Sequence, residues 1–180
     1  MPSTVRQNRL VLVNGEEGAG KSTIVRALLP HTPDGARIDA EDLGQTNPCL
    51  MDDEFFDLLR RNVAGLVENF WTAGYANVIA GSFLRGYPDY LAFRELLSLP
   101  CAVFLVELVV DKDVRDGRRV TRAKPTTQEW RDMVDLIPED LTIRQAADAD
   151  YRYVGLDTTG LDVPETVRRI KDAIPEIYYR

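Results

Sequence analysis

Between positions 15 and 22 the chain reads Gly15-Glu16-Glu17-Gly18-Ala19-Gly20-Lys21-Ser22. This Gly-x-x-x-x-Gly-Lys-Ser spacing, the Walker A or P-loop pattern, suits one task above others, which is holding a chain of phosphates. A triphosphate needs many hydrogen-bond donors packed close together. Glycines let the backbone curl so that successive amides point inward. A helix opening at Lys21 would aim the positive end of its dipole at the same spot. The Lys21 ammonium can reach the β- and γ-phosphates, and the Ser22 hydroxyl can ligate Mg2+. Gly15, Gly18, Ala19, Gly20, Lys21, Ser22 and Thr23 are therefore the candidate phosphate-binding set, with Thr23 also placed to pack on the helix. The other reading is a chance match in a glycine-rich turn. Glu16 and Glu17 are odd in a loop for anions, and their side chains are expected to point outward into solvent.

Three further groups of residues could do chemistry beside such a loop. Asp39 closes a short apolar segment and precedes Ala40-Glu41-Asp42. It could hold the water shell of Mg2+ or accept a hydroxyl proton, and Glu41 and Asp42 could bind hydroxyls. The alternative is a solvated turn in which Asp42 caps the next element. Arg115, Arg118, Arg119 and Arg122 form a basic cluster in which Arg115, Arg118 and Arg122 share a helical face. The alternative is a solvated face paired with Asp111, Asp113 and Asp116. Arg85 follows Ser82 and could meet a phosphate or an acceptor. Asp157 and Thr158 precede Thr159-Gly160, where a strand-to-helix turn is expected.

These residues must be positioned by regular elements, and the hydrophobic pattern supplies them. Leu10-Val11-Leu12-Val13 reads as a buried strand directly before the phosphate loop, and Lys21 to Leu29 as a helix stopped by Pro30. Ala36 to Asp39 is a second strand. Asp52 to Trp71 is a long helix with Gly74 as its C-cap. Asn77 to Gly81, Cys101 to Val106 and Tyr151 to Leu156 read as three more strands. Helices are expected over Pro88–Leu99, Asp113–Arg122 and Pro164–Ile174, and another opens at Thr126-Thr127-Gln128-Glu129, which has capping-box spacing. Strands alternating with helices imply an α/β three-layer sandwich around a five-stranded parallel sheet, as a single domain over residues 1–180.

Composition narrows the field. The chain has 180 residues, a formal net charge of −7 and 44% hydrophobic residues, so it is expected to form a packed core and no nucleic-acid field. Its two cysteines, Cys49 and Cys101, make neither a disulfide framework nor a zinc pattern. With His31 as the only histidine, His-based triads are excluded. No apolar run is long enough for a membrane span, and the start lacks the pattern of a secretory signal. A cytoplasmic protein, monomer or homodimer, that contacts neither membrane nor nucleic acid is the expectation.

The third strand, Val78-Ile79-Ala80-Gly81-Ser82, ends without the acid that motor and transporter ATPases carry, although Glu107 after the fourth could substitute. The Asn-Lys-x-Asp pattern that reads guanine is absent, which favours ATP. With the phosphate loop, three segments carry a resemblance: Ile38-Asp39-Ala40-Glu41-Asp42-Leu43, Val78 to Tyr90, and Leu156-Asp157-Thr158-Thr159-Gly160-Leu161. The chain resembles the small P-loop kinases of the gluconate kinase, shikimate kinase and chloramphenicol phosphotransferase-like group, within the nucleoside monophosphate kinase-like superfamily. The resemblance implies a sheet of order 2-3-1-4-5 and a small helical LID over about 115–140. It implies ATP and Mg2+ as cofactors and phosphoryl transfer to a hydroxyl of a small molecule such as a sugar acid or antibiotic. In it Lys21, Asp39, Arg118 and Arg122 act on the transferring phosphate. Ser22 and Asp39 serve the metal, and Asp157 and Thr158 lie beside adenine. Glu41, Asp42 and Arg85 meet the acceptor. A nucleoside or nucleotide kinase, which would need a base pocket between the Asp52–Trp71 and Pro88–Leu99 helices, and a nucleotide-binding regulatory module with little turnover are the alternatives.

Overall fold

The computed structural model describes residues 7–48, 50–121, 126–136, 140–146 and 148–179. Its centre is the strand β1, Asn8–Asn14. β1 is flanked by parallel strands on both sides, β3 (Asn77–Gly81) and β4 (Cys101–Val109), while β2 (Gly35–Asp39) and β5 (Tyr151–Asp157) form the edges. The resulting order, β2-β3-β1-β4-β5, is the one expected.

Successive side chains on a strand point to opposite faces, and β1 uses both. Leu10 and Leu12 enter one apolar cluster, with Leu59, Val63 and Val67 of α2 (Asp53–Thr72) and Tyr90 and Phe93 of α3 (Tyr87–Glu95). Val11 and Val13 enter the other, with Ile24, Val25 and Leu28 of α1 (Lys21–Leu28) and Val167 and Ile170 of α7 (Val163–Ala173). Helices therefore cover both faces of the sheet, and β1 reads as a continuous apolar run because neither of its faces meets water. Each fully buried Val or Leu here contributes about 1.5–3 kcal/mol.

The remaining elements are α4 (Lys112–Thr121), α5 (Gln128–Asp135), the short α6 (Thr142–Gln145) and a last turn, α8 (Pro175–Tyr178). Several boundaries differ from the sequence pattern, for local reasons. The α3 helix ends at Glu95 rather than Leu99, because Glu68 Oε1 of α2 accepts from the amides of Ser98 (2.5 Å) and Leu99 (3.2 Å). The α5 cap is Thr127, whose hydroxyl accepts from Trp130 N at 3.2 Å, one residue beyond the capping-box start at Thr126. β4 runs on to Val109 because β5 keeps pairing with it as far as Asp157. Among the described residues no helix is long and apolar enough to cross a membrane.

Register fixes where chemistry can occur. Asp39 lies opposite Gly81, Gly81 opposite Val13, and Asn14 opposite Glu107. The strand ends thus form a row at the carboxyl edge, where open α/β sheets place their ligands.

Candidate active site

The phosphate loop leaves β1 at that edge. Gly15 has φ +135°, and a Cβ there would lie 2.5 Å from the carbonyl oxygen of Leu108. Gly18 has φ +86° and is pressed against the backbone of Arg115 and the side chain of Arg119. Both positions demand glycine, for conformation and for space. Gly20 precedes α1, whose first amides have no partner within the helix. Lys21 Nζ donates to the carbonyls of Gly15 (2.8 Å) and Glu16 (2.9 Å), so its ammonium lies against the loop it follows. Ser22 Oγ donates to Asp39 Oδ1 at 3.3 Å, which joins the start of α1 to the end of β2. A curled glycine backbone, a helix N-terminus, an ammonium and a hydroxyl–carboxylate pair suit a triphosphate and its divalent cation in chemistry.

Two clefts flank the loop. One, of about 440 Å3, is lined in part by Asn14, Gly15, Leu84, Arg85, Glu107 and Arg115. The other, of about 320 Å3, is lined in part by Ala19, Gly20, Thr23, Arg118, Thr158 and Leu161. Thr23 is an exposed wall of the second cleft rather than a packed helix residue.

The helix α4 lies across the loop, and its arginines divide by helical position. Arg118 donates to the carbonyls of Ala19 (3.3 Å) and Thr158 (3.4 Å), which places it on the second cleft. Arg115 lines the first cleft and pairs with Glu16 at 2.9 Å. Arg119 is fully buried. It donates to Glu17 Oε2 through Nε (3.2 Å) and Nη2 (2.9 Å), and to Asp116 (3.0 Å) and Asp135 (2.9 Å). Burial alone would lower the Arg119 pKa; the three carboxylates overcome that and raise it. Trp130 Nε1 adds a third donor to Glu17 Oε2 at 3.3 Å. The expectation that Glu16 and Glu17 point outward is therefore corrected for Glu17, which turns toward α4 because Arg119 supplies the counter-charge that solvent would otherwise provide. Glu16 stays exposed, as expected, while reaching Arg115. Arg122 lies outside the described residues.

The other candidates divide. Thr158 is buried, donates its amide to Val109 O at 2.9 Å, and lines the second cleft. Asp157 instead closes its own turn: Oδ1 accepts from Thr159 N at 2.9 Å, and that bond holds its carboxyl below the usual range. Arg85 lines the first cleft but is already engaged. Its Nε and Nη2 donate to Asp89 (2.8 and 3.0 Å), and its guanidinium lies 3.9 Å from the Phe56 ring centre. Glu41 and Asp42 are exposed on a single 3-10 turn and line neither cleft. The helices α2 and α3 close on each other through the buried pair Arg60–Asp89 (2.8 Å), where a base pocket was the alternative expectation.

One group was only touched by sequence reasoning. Glu107, 4% exposed at the end of β4, accepts from Arg144 Nε (2.6 Å), Arg144 Nη2 (2.8 Å) and Tyr153 Oη (2.5 Å). Burial, then the bond to Glu107, raises the Tyr153 pKa, so it stays a neutral donor. Its place after an apolar strand was the visible signal; its partner on α6 was not.

No protein-family profile matches the chain, and no curated protein does. Solved structures do match. A sugar kinase from Janibacter sp., in an unliganded structure, superposes with a TM-score of 0.71 at 19% identity, over 96% of this chain and 99% of that one. A gluconokinase from Sinorhizobium meliloti gives 0.68 at 14% identity, over 96% and 94%. An APS kinase from Mycobacterium tuberculosis, in complex with AMPPNP and APS, gives 0.62 at 12% identity, over 94% and 98%. The chain has the fold of the small P-loop kinases. Within that fold the parallel sheet, the loop after β1 and the helix across it are the parts on which any chemistry must rest.

Proposed function

We propose that this protein is an ATP- and Mg2+-dependent phosphotransferase that moves the γ-phosphoryl group to a hydroxyl of a small molecule. One observation carries the reading: two clefts of different character meet at the glycine loop. The second, walled by Leu161, Thr158 and the Arg118 guanidinium, suits a nucleoside. The first opens beside Gly15 and offers carboxylates and an amide side chain to an acceptor. The likeness in fold to a sugar kinase, a gluconokinase and an APS kinase supports phosphoryl transfer over motor work.

Bound Mg2+ would neutralise the phosphate oxygens, and ATP would supply the transferable group. The chain's own residues have separate tasks. The loop amides and Lys21 bind phosphate oxygens, and Lys21 exchanges two carbonyls for them. Ser22 and Asp39 hold the cation and its waters, or Asp39 takes the acceptor proton. Arg118 holds the nucleoside side. Arg115 faces the cleft where transfer would occur, and Arg122 belongs to the same segment, 115–140, which would close as a LID and exclude water. Cytoplasmic ATP would serve such an enzyme.

The test is ADP release above basal hydrolysis for a panel of sugars, sugar acids, nucleosides and hydroxylated antibiotics. Acceptor-dependent release, abolished in Lys21→Ala and in Asp39→Ala, is the expected result. Release that no acceptor stimulates, with Asp39→Ala hydrolysing ATP as the wild type does, would overturn the proposal in favour of a nucleotide-binding module.

A further inference from the structure

We infer that the acceptor is a hydroxyl compound carrying no acidic group, because each described cation that lines the acceptor cleft, Arg85, Lys112 and Arg115, is already paired with a carboxylate of the chain itself. This inference rests on the phosphotransferase reading and specifies its acceptor.

The pairs are close and in part shielded from water. Arg85 is forked onto Asp89 at 2.8 and 3.0 Å, with Asp53 at 3.5 Å. Arg115 holds Glu16 at 2.9 Å, and its side chain is 8% exposed. Lys112 lies between Asp116 (2.7 Å) and Asp135 (3.0 Å). Arg144, just behind the wall, is forked onto Glu107 at 2.6 and 2.8 Å. An acidic acceptor would have to displace one of these carboxylates or remain unpaired. Asp89 and Glu107, with side chains 9% and 6% exposed, would lose their compensation. Arg115, which can release the more exposed Glu16, would give its place to the transferring phosphate.

One wall carboxylate has no cationic partner among the described residues. Asp140 lines the cleft and accepts from Tyr87 N (3.1 Å), Thr142 N (2.9 Å) and the Thr142 hydroxyl. The Thr142 bonds hold its carboxyl below the usual range, so it is ionised at neutral pH. A Cβ on Gly86 would collide with it, so the glycine leaves the room it occupies. Leu84, Val134 and Ile143 make the rest of this wall apolar. Net negative charge, and the triphosphate that would bind beside it, repel a second anion, and the apolar surface would leave it without solvation. Hydroxyl groups meet none of these penalties, since Glu107, Asp140 and Asn14 offer them acceptors.

The experiment compares acceptors that share a carbon skeleton and differ in charge, such as glucose with gluconate and glucuronate, and further neutral/acid pairs of cyclitols and nucleosides. kcat/KM is measured at saturating MgATP. Titration calorimetry on the protein loaded with a non-hydrolysable ATP analogue gives binding independently of turnover. The expected result is a preference for the neutral member of at least about tenfold in both measurements. Glu16→Gln, which releases Arg115 from a partly exposed partner, should shift the acid-to-neutral ratio toward the acid by about tenfold. That ratio cancels any change on the nucleotide side. Turnover in which the acid equals or exceeds its neutral partner would overturn the inference and leave the kinase reading intact. Neutral-selective binding without turnover would sustain the inference and defeat the kinase reading. Neither binding nor turnover across the panel would defeat both.

Discussion

Glu17 is the residue whose removal tests the architecture of the site most directly. Its carboxylate receives two bonds from Arg119 and one from the Trp130 indole, joining the phosphate loop to α4 and α5. Breaking a buried ion pair by deleting one partner costs about 3–5 kcal/mol when the other charge is left uncompensated. Arg119 would keep Asp116 and Asp135, at 3.0 and 2.9 Å. Both are partly open to solvent, so the compensation is incomplete and the loss is about 2 kcal/mol. For a chain of this length about 1 kcal/mol corresponds to 2–4 °C in Tm, so Glu17→Ala should melt about 4–8 °C below the wild type. Differential scanning calorimetry at fixed protein concentration reads this. Arg61→Ala is the control, because its pair with Asp57 (3.3 Å) is exposed on both sides and should move Tm by no more than about 1–2 °C. Glu17→Gln should fall between, since its amide oxygen still accepts but without charge. A Glu17→Ala protein that melts within 1–2 °C of the wild type would refute the reasoning (the range set by the control). It would mean that Glu17 is solvated and that α4 is held to the loop by something else.

Gly15→Ala should lower Tm at least as much as Glu17→Ala, because the new methyl meets Leu108 O at 2.5 Å in a backbone conformation that L residues rarely adopt; a calorimetric scan checks it. Arg118→Ala should raise the KM for ATP about tenfold with little change in the acceptor KM, because its carbonyl contacts lie only on the second cleft; steady-state kinetics with each substrate varied in turn decide it. Acid should destabilise the fold in a defined window. The Asp89 carboxyl is buried, which opposes ionisation, yet the bonds from Arg85 hold its folded pKa below the ordinary value of 3.8. Its contribution is therefore present above pH 3.8 and fades as pH falls through the folded pKa. Urea denaturation at stepped pH should show that loss, and Asp89→Asn should show a shallower one.

How much of this was legible in the sequence depends on how far apart the causes lie. The phosphate loop was readable because its requirements are local: three glycines, a lysine and a hydroxyl within eight positions. β1 was readable because burial on both faces leaves a continuous apolar run. The sheet order was legible only through resemblance, since periodicity does not say which strands are neighbours. The end of α3 was not legible, because Glu68, thirty residues upstream of Ser98, competes for its amides. Glu17 was misread for the same reason: its partner Arg119 is 102 positions away. Helical spacing grouped Arg115, Arg118 and Arg122 on one face, but not which side of the loop each would meet. Arg118 proves to lie with Thr158, and Arg115 with Glu16. Asp39 could be placed from its strand end. Glu41 and Asp42 could not, because the 3-10 turn after Asp39 leaves both exposed, and among the described residues neither has a bond like the one from Ser22 that ties Asp39 to the start of α1.

Two acids in an anion-binding loop cease to be a contradiction once α4 is considered as a helix. Its buried residues are Arg115 and Arg119, not aliphatic ones. Only Val114 of α4 packs against the apolar core among the described residues, so the hydrophobic effect, which scales with apolar area removed from water, contributes little to holding it. Ion pairs supply most of the attachment, and the phosphate loop provides some of the anions. Such an attachment differs in kind from apolar packing. It fixes geometry closely, since charge-assisted hydrogen bonds are short and directional, and it weakens with salt where it is exposed. It can also exchange partners. Arg115 bound to the partly exposed Glu16 can trade that carboxylate for a phosphate oxygen at little cost in buried area, while Arg119, sealed over Glu17, cannot. In the phosphotransfer reading one arginine is then the moving contact and its neighbour one turn on is the hinge, and both roles are set by the two glutamates between Gly15 and Gly18.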